Sequence, residues 1–284
     1  MFKFIAMIVL LLFTSPVSAS DDESDPHLTT FMMRSTFKIM GQSAAGKTVF
    51  GTSFLMGEPS KKKPDWHYYV LISAKHVFDD IKSEYAMLTL RRKDGEGFSR
   101  LSHKIKVRNE GNPLWIGHPD VDVAAMRINL PEDADIRFLP TTFLADDDTL
   151  REYSVYPGDE LLVFGFPYGV EANDAGFPVL RSGRIASYPL APTASTKTFL
   201  LDFEVFSGNS GGPVMLYSAN RFYGGSTHIG VVRFIMGLVS QQKGLTERFD
   251  LLDETVIRKH QLSLAVIVHA SFIKEVIDEL PPVE

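Results

Sequence analysis

The sequence predicts an all-β fold of two successive barrels with a C-terminal helix, and three observations carry that prediction. Short apolar runs separated by Gly, Pro and charged turns recur from Phe31 to Pro140, and a second set follows from Glu160 to Ile267. Runs of this length and spacing are the pattern of barrels and sandwiches. The pattern is present twice, with the acidic stretch Ala145–Asp148 between the two sets as the inter-barrel link. Ser271–Leu280 breaks it: Phe272, Ile273, Val276, Ile277 and Leu280 recur at helical spacing, and Pro281-Pro282 end the run. An amphipathic helix packed on the second barrel is expected there.

The elements follow in chain order. Lys3, the apolar run Phe4–Phe13 and the small residues ending at Ala19 describe a secretory signal peptide over 1–19, with cleavage expected after Ala19. The run is shorter than the roughly 20 apolar residues of a membrane span, so no stable anchor is expected after cleavage. Residues 20–30 are polar and read as a disordered lead-in. The folded domain is placed at 31–284, with barrels at about 31–144 and 150–268 and the helix at 271–280. Strands of the first barrel are expected at Thr36–Met40, Thr48–Met56, Tyr68–Ile72, Tyr85–Leu90, Ile105–Val107 and Val123–Ile128. Those of the second are expected at Glu160–Phe166, Val179–Ser187, Thr198–Val205, Pro213–Leu216, Ile229–Ile235 and Leu262–Ile267.

An apolar fraction of 44%, with 21 Phe, is ample for a core. A formal charge of −6 argues against a nucleic-acid partner, because neutralising phosphates needs a basic face. The basic triplet Lys61–Lys63 reads as a surface loop. The chain has no cysteine, so an exported form holds together without disulfides, which favours a bacterial periplasmic or secreted protein.

One string carries chemistry. In Gly208-Asn209-Ser210-Gly211-Gly212-Pro213, glycines on both sides of a serine allow the sharp turn that exposes an Oγ and aims backbone N–H groups at one point. A plain Gly-rich turn is the bland alternative. Such a serine needs a base. Of eight histidines, His76 stands apart: the apolar strand Val70–Ile72 runs into Ser73-Ala74-Lys75-His76 and then a short helical turn. Asp122 opens an apolar strand and can hold the far ring nitrogen of His76. Asp120 competes from two residues away, and Asp122 is preferred because the apolar strand begins directly after it.

The order His76, Asp122, Ser210 is that of the chymotrypsin type. In detail the chain resembles the trypsin-like protease domain of the bacterial high-temperature-requirement family, over roughly Phe31 to Leu280. The resemblance is carried by Gly51-Thr52-Ser53-Phe54-Leu55, Pro157-Gly158-Asp159, Phe164-Gly165-Phe166-Pro167-Tyr168-Gly169, Ser182-Gly183-Arg184-Ile185, Asp202 and the tail Ser263–Leu280. It implies a two-barrel chymotrypsin-like fold and a serine endopeptidase acting on protein or peptide substrates without cofactor or metal. It also implies an oxyanion hole from the N–H groups of Gly208 and Ser210. Glu204, six residues before Ser210, falls where the family has the floor of its specificity pocket, which would favour a basic substrate side chain. Arg233 is expected on the opposite wall and able to neutralise it, and an internal salt bridge or an outward-facing Glu204 is the alternative. Phe206-Ser207 and Lys75 depart from the family pattern. No PDZ domain follows the helix, so peptide-gated activation is not carried over. Neutral Asn209 cannot pair with a freed N-terminal ammonium.

Two other classes compete. Gly41–Thr48 matches the phosphate-binding pattern G-x-x-x-x-G-K-[ST], but the β-branched run after Lys47 predicts a strand where that chemistry needs a helix. A catalytically silent binding protein on the same fold is the other. His118-Pro119-Asp120-Val121-Asp122 reads as a loop flanking the aspartate rather than a metal site.

Overall fold

A computed structural model describes residues 28–60, 67–250 and 255–282. The signal-peptide segment, residues 20–27 of the lead-in and the Lys61–Lys63 triplet lie outside the described residues. The first described element is a helix, α1 (Leu28–Ser35), so the expected lead-in runs too far at its C-terminal end. Leu28 and Met32, four apart and both buried, lie on one helical face that packs on the core.

The N-terminal half is an eight-stranded sheet. Its principal strands are β1 (Thr36–Gln42), β2 (Thr48–Pro59), β3 (His67–Ser73), β4 (Tyr85–Asp94) and β5 (Gly97–Lys106). They run in the order β5-β4-β1-β2-β3, and Ala124–Arg127 and Ile116–Gly117 continue the sheet beyond β3. Leu139–Pro140 pairs parallel to β2. β5 is longer than its sequence suggested, because it alternates exposed and half-buried residues over a solvent-facing edge and hides its apolar period.

The C-terminal half closes completely. Glu160–Gly165, Val179–Ile185, Thr198–Asp202, Thr255–His269, Val231–Asp250 and Pro213–Ala219 form a six-stranded barrel in that order. The two-barrel architecture with a terminal helix that the sequence predicts is therefore the one the molecule has. Gly41–Thr48 is the hairpin between β1 and β2, with Ser43 N–H donating to Lys47 O at 2.8 Å, and a strand follows it.

Two linking elements differ from expectation. The acidic stretch between the barrels opens a helix, α3 (Asp147–Glu152), whose N-cap Asp146 accepts from the Thr149 N–H at 2.9 Å. Acidic residues there complement the helix N-terminus. The C-terminal helix (Ala270–Asp278) does not pack on the second barrel alone. Phe272, Ile273, Val276 and Ile277 belong to the buried cluster centred on the first sheet, beside Ala124, Ala125 and Met126. Burial of each such side chain stabilises by roughly 1.5–3 kcal/mol, so the helix fastens the end of the chain to the opposite half.

A second fastening runs the other way. Arg91 on β4 is fully buried and donates to Gly176 O (2.9 Å), Thr36 O (3.0 Å) and Arg34 O (3.1 Å). Its guanidinium lies 4.7 Å from the Phe37 ring centroid and 4.5 Å from that of Phe177. Glu171, on the same loop as Gly176 and Phe177, pairs with Lys38 of β1 and Arg100 of β5. The loop following Gly165 is thus sewn onto the first sheet.

Candidate active site

Three segments meet between the two halves. β3 delivers Ser73 and Ala74, and the six-residue helix α2 (Lys75–Asp80) then carries His76. Asp122 sits in the bend before Ala124–Arg127, the strand that pairs with β3. Ser210 lies in the turn before Pro213–Ala219 of the closed barrel.

Thr52 of β2 joins the halves at this point. Its N–H donates to Ser210 O at 2.9 Å, its Oγ1 donates to Gly208 O at 2.6 Å, and its carbonyl accepts from Ser73 Oγ at 2.7 Å. One residue therefore ties the serine turn to the strand leading into the histidine.

The structure brings His76 and Asp122 together through two bonds. Asp122 Oδ2 lies 2.7 Å from His76 Nδ1, and Oδ1 accepts the His76 backbone N–H at 2.9 Å. Ser240 Oγ donates to Asp122 Oδ2 at 2.6 Å. Partial burial alone would push the His76 pKa down, but the hydrogen bond and charge of Asp122, with Asp80 and Asp79 adding, leave it raised above 6.5. Burial likewise works to raise the Asp122 pKa, and the bonds from His76 and Ser240 outweigh it, so the carboxylate stays ionised. Asp120, the competing carboxylate, is exposed and pairs instead with Lys197 at 2.8 Å.

Ser210 and His76 line one cleft of about 120 Å³, together with Val49, Phe50, Asp80, Ser207 and Gly208. Ser210 Oγ donates to Ser240 O at 2.9 Å, so its proton is engaged there rather than by the imidazole. The turn around it is tightly folded. Gly208 has φ +95°, and a Cβ there would stand 2.3 Å from Phe166 O; Gly211 has φ +86°, with a Cβ 2.1 Å from Thr52 O. Only glycine fits either place. Asn209 is buried and spends its polar atoms on the turn itself, its Oδ1 accepting from Phe206 N–H at 2.9 Å and its own N–H donating to Phe206 O at 3.0 Å. No described residue accepts from the N–H of Gly208 or Ser210. Both residues line the cleft.

Glu204 and Arg233 are not brought together. Glu204 is exposed, with its carbonyl accepting from Arg181, while Arg233 lines a separate cavity of about 440 Å³ with Phe143, Tyr153 and Phe234. Arg233 pairs with Tyr217 near the start of Val231–Asp250, the outer end of a long strand, and this carries it away from the cleft. The expected pocket made of this pair is corrected accordingly.

Ser240, Thr52 and Asp80 are polar groups at the site that the sequence did not single out for a role. Ser240 follows an apolar strand run with nothing to mark it. Thr52 lies inside the Gly51–Leu55 motif, but its bonds to Gly208, Ser210 and Phe166 cross to the other half and no local pattern encodes them.

No protein-family model matches the chain, and no curated protein does. Among solved structures it is similar to the protease Anisep from Arthrobacter nicotinovorans, with 12% identity and a TM-score of 0.47 over 87% of this chain and 95% of that one. The chemistry of the cleft therefore rests on its own geometry.

Proposed function

We propose that the chain is a serine endopeptidase in which His76 is the general base, Asp122 its orienting carboxylate and Ser210 the nucleophile. The observation that carries this reading is the doubly bonded Asp122–His76 pair facing Ser210 across one small cleft, beside two backbone N–H groups that have no acceptor among the described residues. Asp122 fixes the tautomer with the proton on Nδ1, which leaves Nε2 free to take the serine proton. Ser210 Oγ turns from Ser240 O to His76 as it attacks a peptide carbonyl. The N–H groups of Gly208 and Ser210 then receive the oxyanion, each typically worth roughly 3–4 kcal/mol in such sites. Protonated His76 passes its proton to the leaving amine, and water resolves the acyl-enzyme. The resemblance to high-temperature-requirement proteases and the N-terminal apolar run support an exported enzyme acting on protein substrates.

A second reading, a catalytically silent binding protein on this fold, draws on the Ser210–Ser240 bond. An organophosphonate probe separates the two. The enzyme reading expects covalent labelling at Ser210 and casein cleavage, both lost in Ser210→Ala; an intact, folded chain that takes no label supports the silent one.

A further inference from the structure

We infer that His118 is a positioning residue, a neutral imidazole that caps the loop bearing Asp122 and ties it to the C-terminal helix. This inference rests on the triad reading above. His118 is buried, with its side chain 8% exposed, and its ring bonds are unusual in their direction. Nδ1 accepts two backbone N–H groups, from Asp120 at 3.1 Å and Val121 at 3.2 Å. A nitrogen accepting two donors carries no proton, so the ring proton is on Nε2. Nε2 then donates to Glu275 Oε2 on the C-terminal helix, at 3.1 Å.

The side chain thus imitates an asparagine or aspartate at the head of a turn, whose oxygen accepts from the amides two and three residues on. The same five residues end in Asp122. The backbone closes the turn, His118 N–H donating to Val123 O at 2.9 Å and Val123 N–H to Val121 O at 3.0 Å. Lys75, beside the catalytic histidine, donates from Nζ to His118 O at 3.1 Å, and Lys197 holds Asp120 from the other side. Phe272 of the helix meets the His118 ring edge to face at 5.1 Å. The carboxylate that orients His76 is therefore set by a turn whose two leading amides are capped by an imidazole, and that imidazole is aimed by the C-terminal helix. None of these groups touches the cleft.

The test uses the full-length chain as His118→Ala, His118→Asn and Glu275→Ala. Asparagine supplies an acceptor where Nδ1 stood, and alanine supplies none. In His118→Ala, kcat on a fluorogenic peptide is expected to fall on the order of 10²-fold, the scale of a misplaced catalytic group, with KM changed by less than about twofold. His118→Asn regains most of that loss, and Glu275→Ala falls between wild type and His118→Ala. The downfield proton resonance of His76 Nδ1 shifts in His118→Ala and returns in His118→Asn. Wild-type kcat and an unmoved resonance in His118→Ala overturn the inference, as does a His118→Asn variant impaired as deeply as His118→Ala. Should His118→Ala not fold, Glu275→Ala decides: an unmoved resonance and unchanged kcat overturn it. A wild type that turns over nothing refutes the peptidase reading, and the resonance alone then judges the role of His118.

Discussion

Replacing Ser240 by alanine removes one of three donors held on Asp122 and leaves the other two. The bond lost is the short one, 2.6 Å to Oδ2, and the carboxylate keeps His76 Nδ1 at 2.7 Å and His76 N–H at 2.9 Å. A hydrogen bond to a charged group is worth about 1.5–3 kcal/mol when buried. The Asp122 side chain is 26% exposed, so water replaces part of the loss and the low end of that range applies. About 1.4 kcal/mol is tenfold in rate, and kcat/KM is expected to fall by about that factor. The direction of the pH effect follows as well. A carboxylate short of one donor is more basic and holds the imidazolium more strongly, so the acid limb of kcat/KM moves to higher pH. Ser240 O, the acceptor of the Ser210 hydroxyl, is backbone and survives the substitution. The assay is kcat/KM against pH on a chromogenic peptide, beside an unfolding curve. An unchanged limb with less than about twofold loss would mean that the Ser240 hydroxyl has no hold on the charge at Asp122, and the reasoning would be wrong. A loss as large as that of removing Asp122 itself would also refute it.

In wild type the acid limb of kcat/KM is expected above pH 6.5, because neutral His76 is required and Asp122 raises its pKa. Asp122→Asn should bring the limb down to 6.5 or below, with kcat falling on the order of 10⁴-fold as the tautomer is lost; a limb that does not move in the variant contradicts the assignment. In stability terms the sign is opposite for the two partners: the contribution of His76 is complete below 6.5 and fades as pH rises through its raised pKa, while that of Asp122 fades as pH falls below 3.8. Urea unfolding across those windows reads both. Arg91→Met strips three buried carbonyls of their donor and unstacks Phe37 and Phe177, with relief of a buried charge offsetting part of the cost. A net loss of about 3 kcal/mol in chemical unfolding is expected, and a change under about 0.5 kcal/mol would show that the clamp contributes nothing.

What the sequence made readable was local. The turn around Ser210 needs glycine at two positions of positive φ, and a string of six residues records that need. The strand running into Ala74 and His76 shows as an apolar run that stops at small residues. Asp122 stood out from Asp120 by its place against an apolar strand, and it is the one that meets the imidazole, whereas Asp120 meets Lys197 in solvent. The helix at the chain end showed in its period, but period says which face is buried and not against what. It was assigned to the nearer barrel, and its apolar face packs on the first sheet as well as on that barrel. Arg233 failed for a related reason, since distance along the chain from Ser210 does not tell where the outer end of a long strand points.

Three of the groups that escaped reading share one property: each acts across the boundary between the halves. Thr52 links a strand of the first sheet to the serine turn of the second barrel, Ser240 reaches from the second barrel to a carboxylate of the first, and Arg91 holds a loop of the second in the core of the first. Residues of this kind carry no periodicity, because their partners across the boundary lie 85 or more positions away. The consequence is physical as well as interpretive. A cleft whose imidazole and carboxylate come from one half and whose serine comes from the other is only as well ordered as the bonds between them. The fastenings at Thr52, Ser240 and Arg91 are therefore parts of the site, although none of them performs a chemical step.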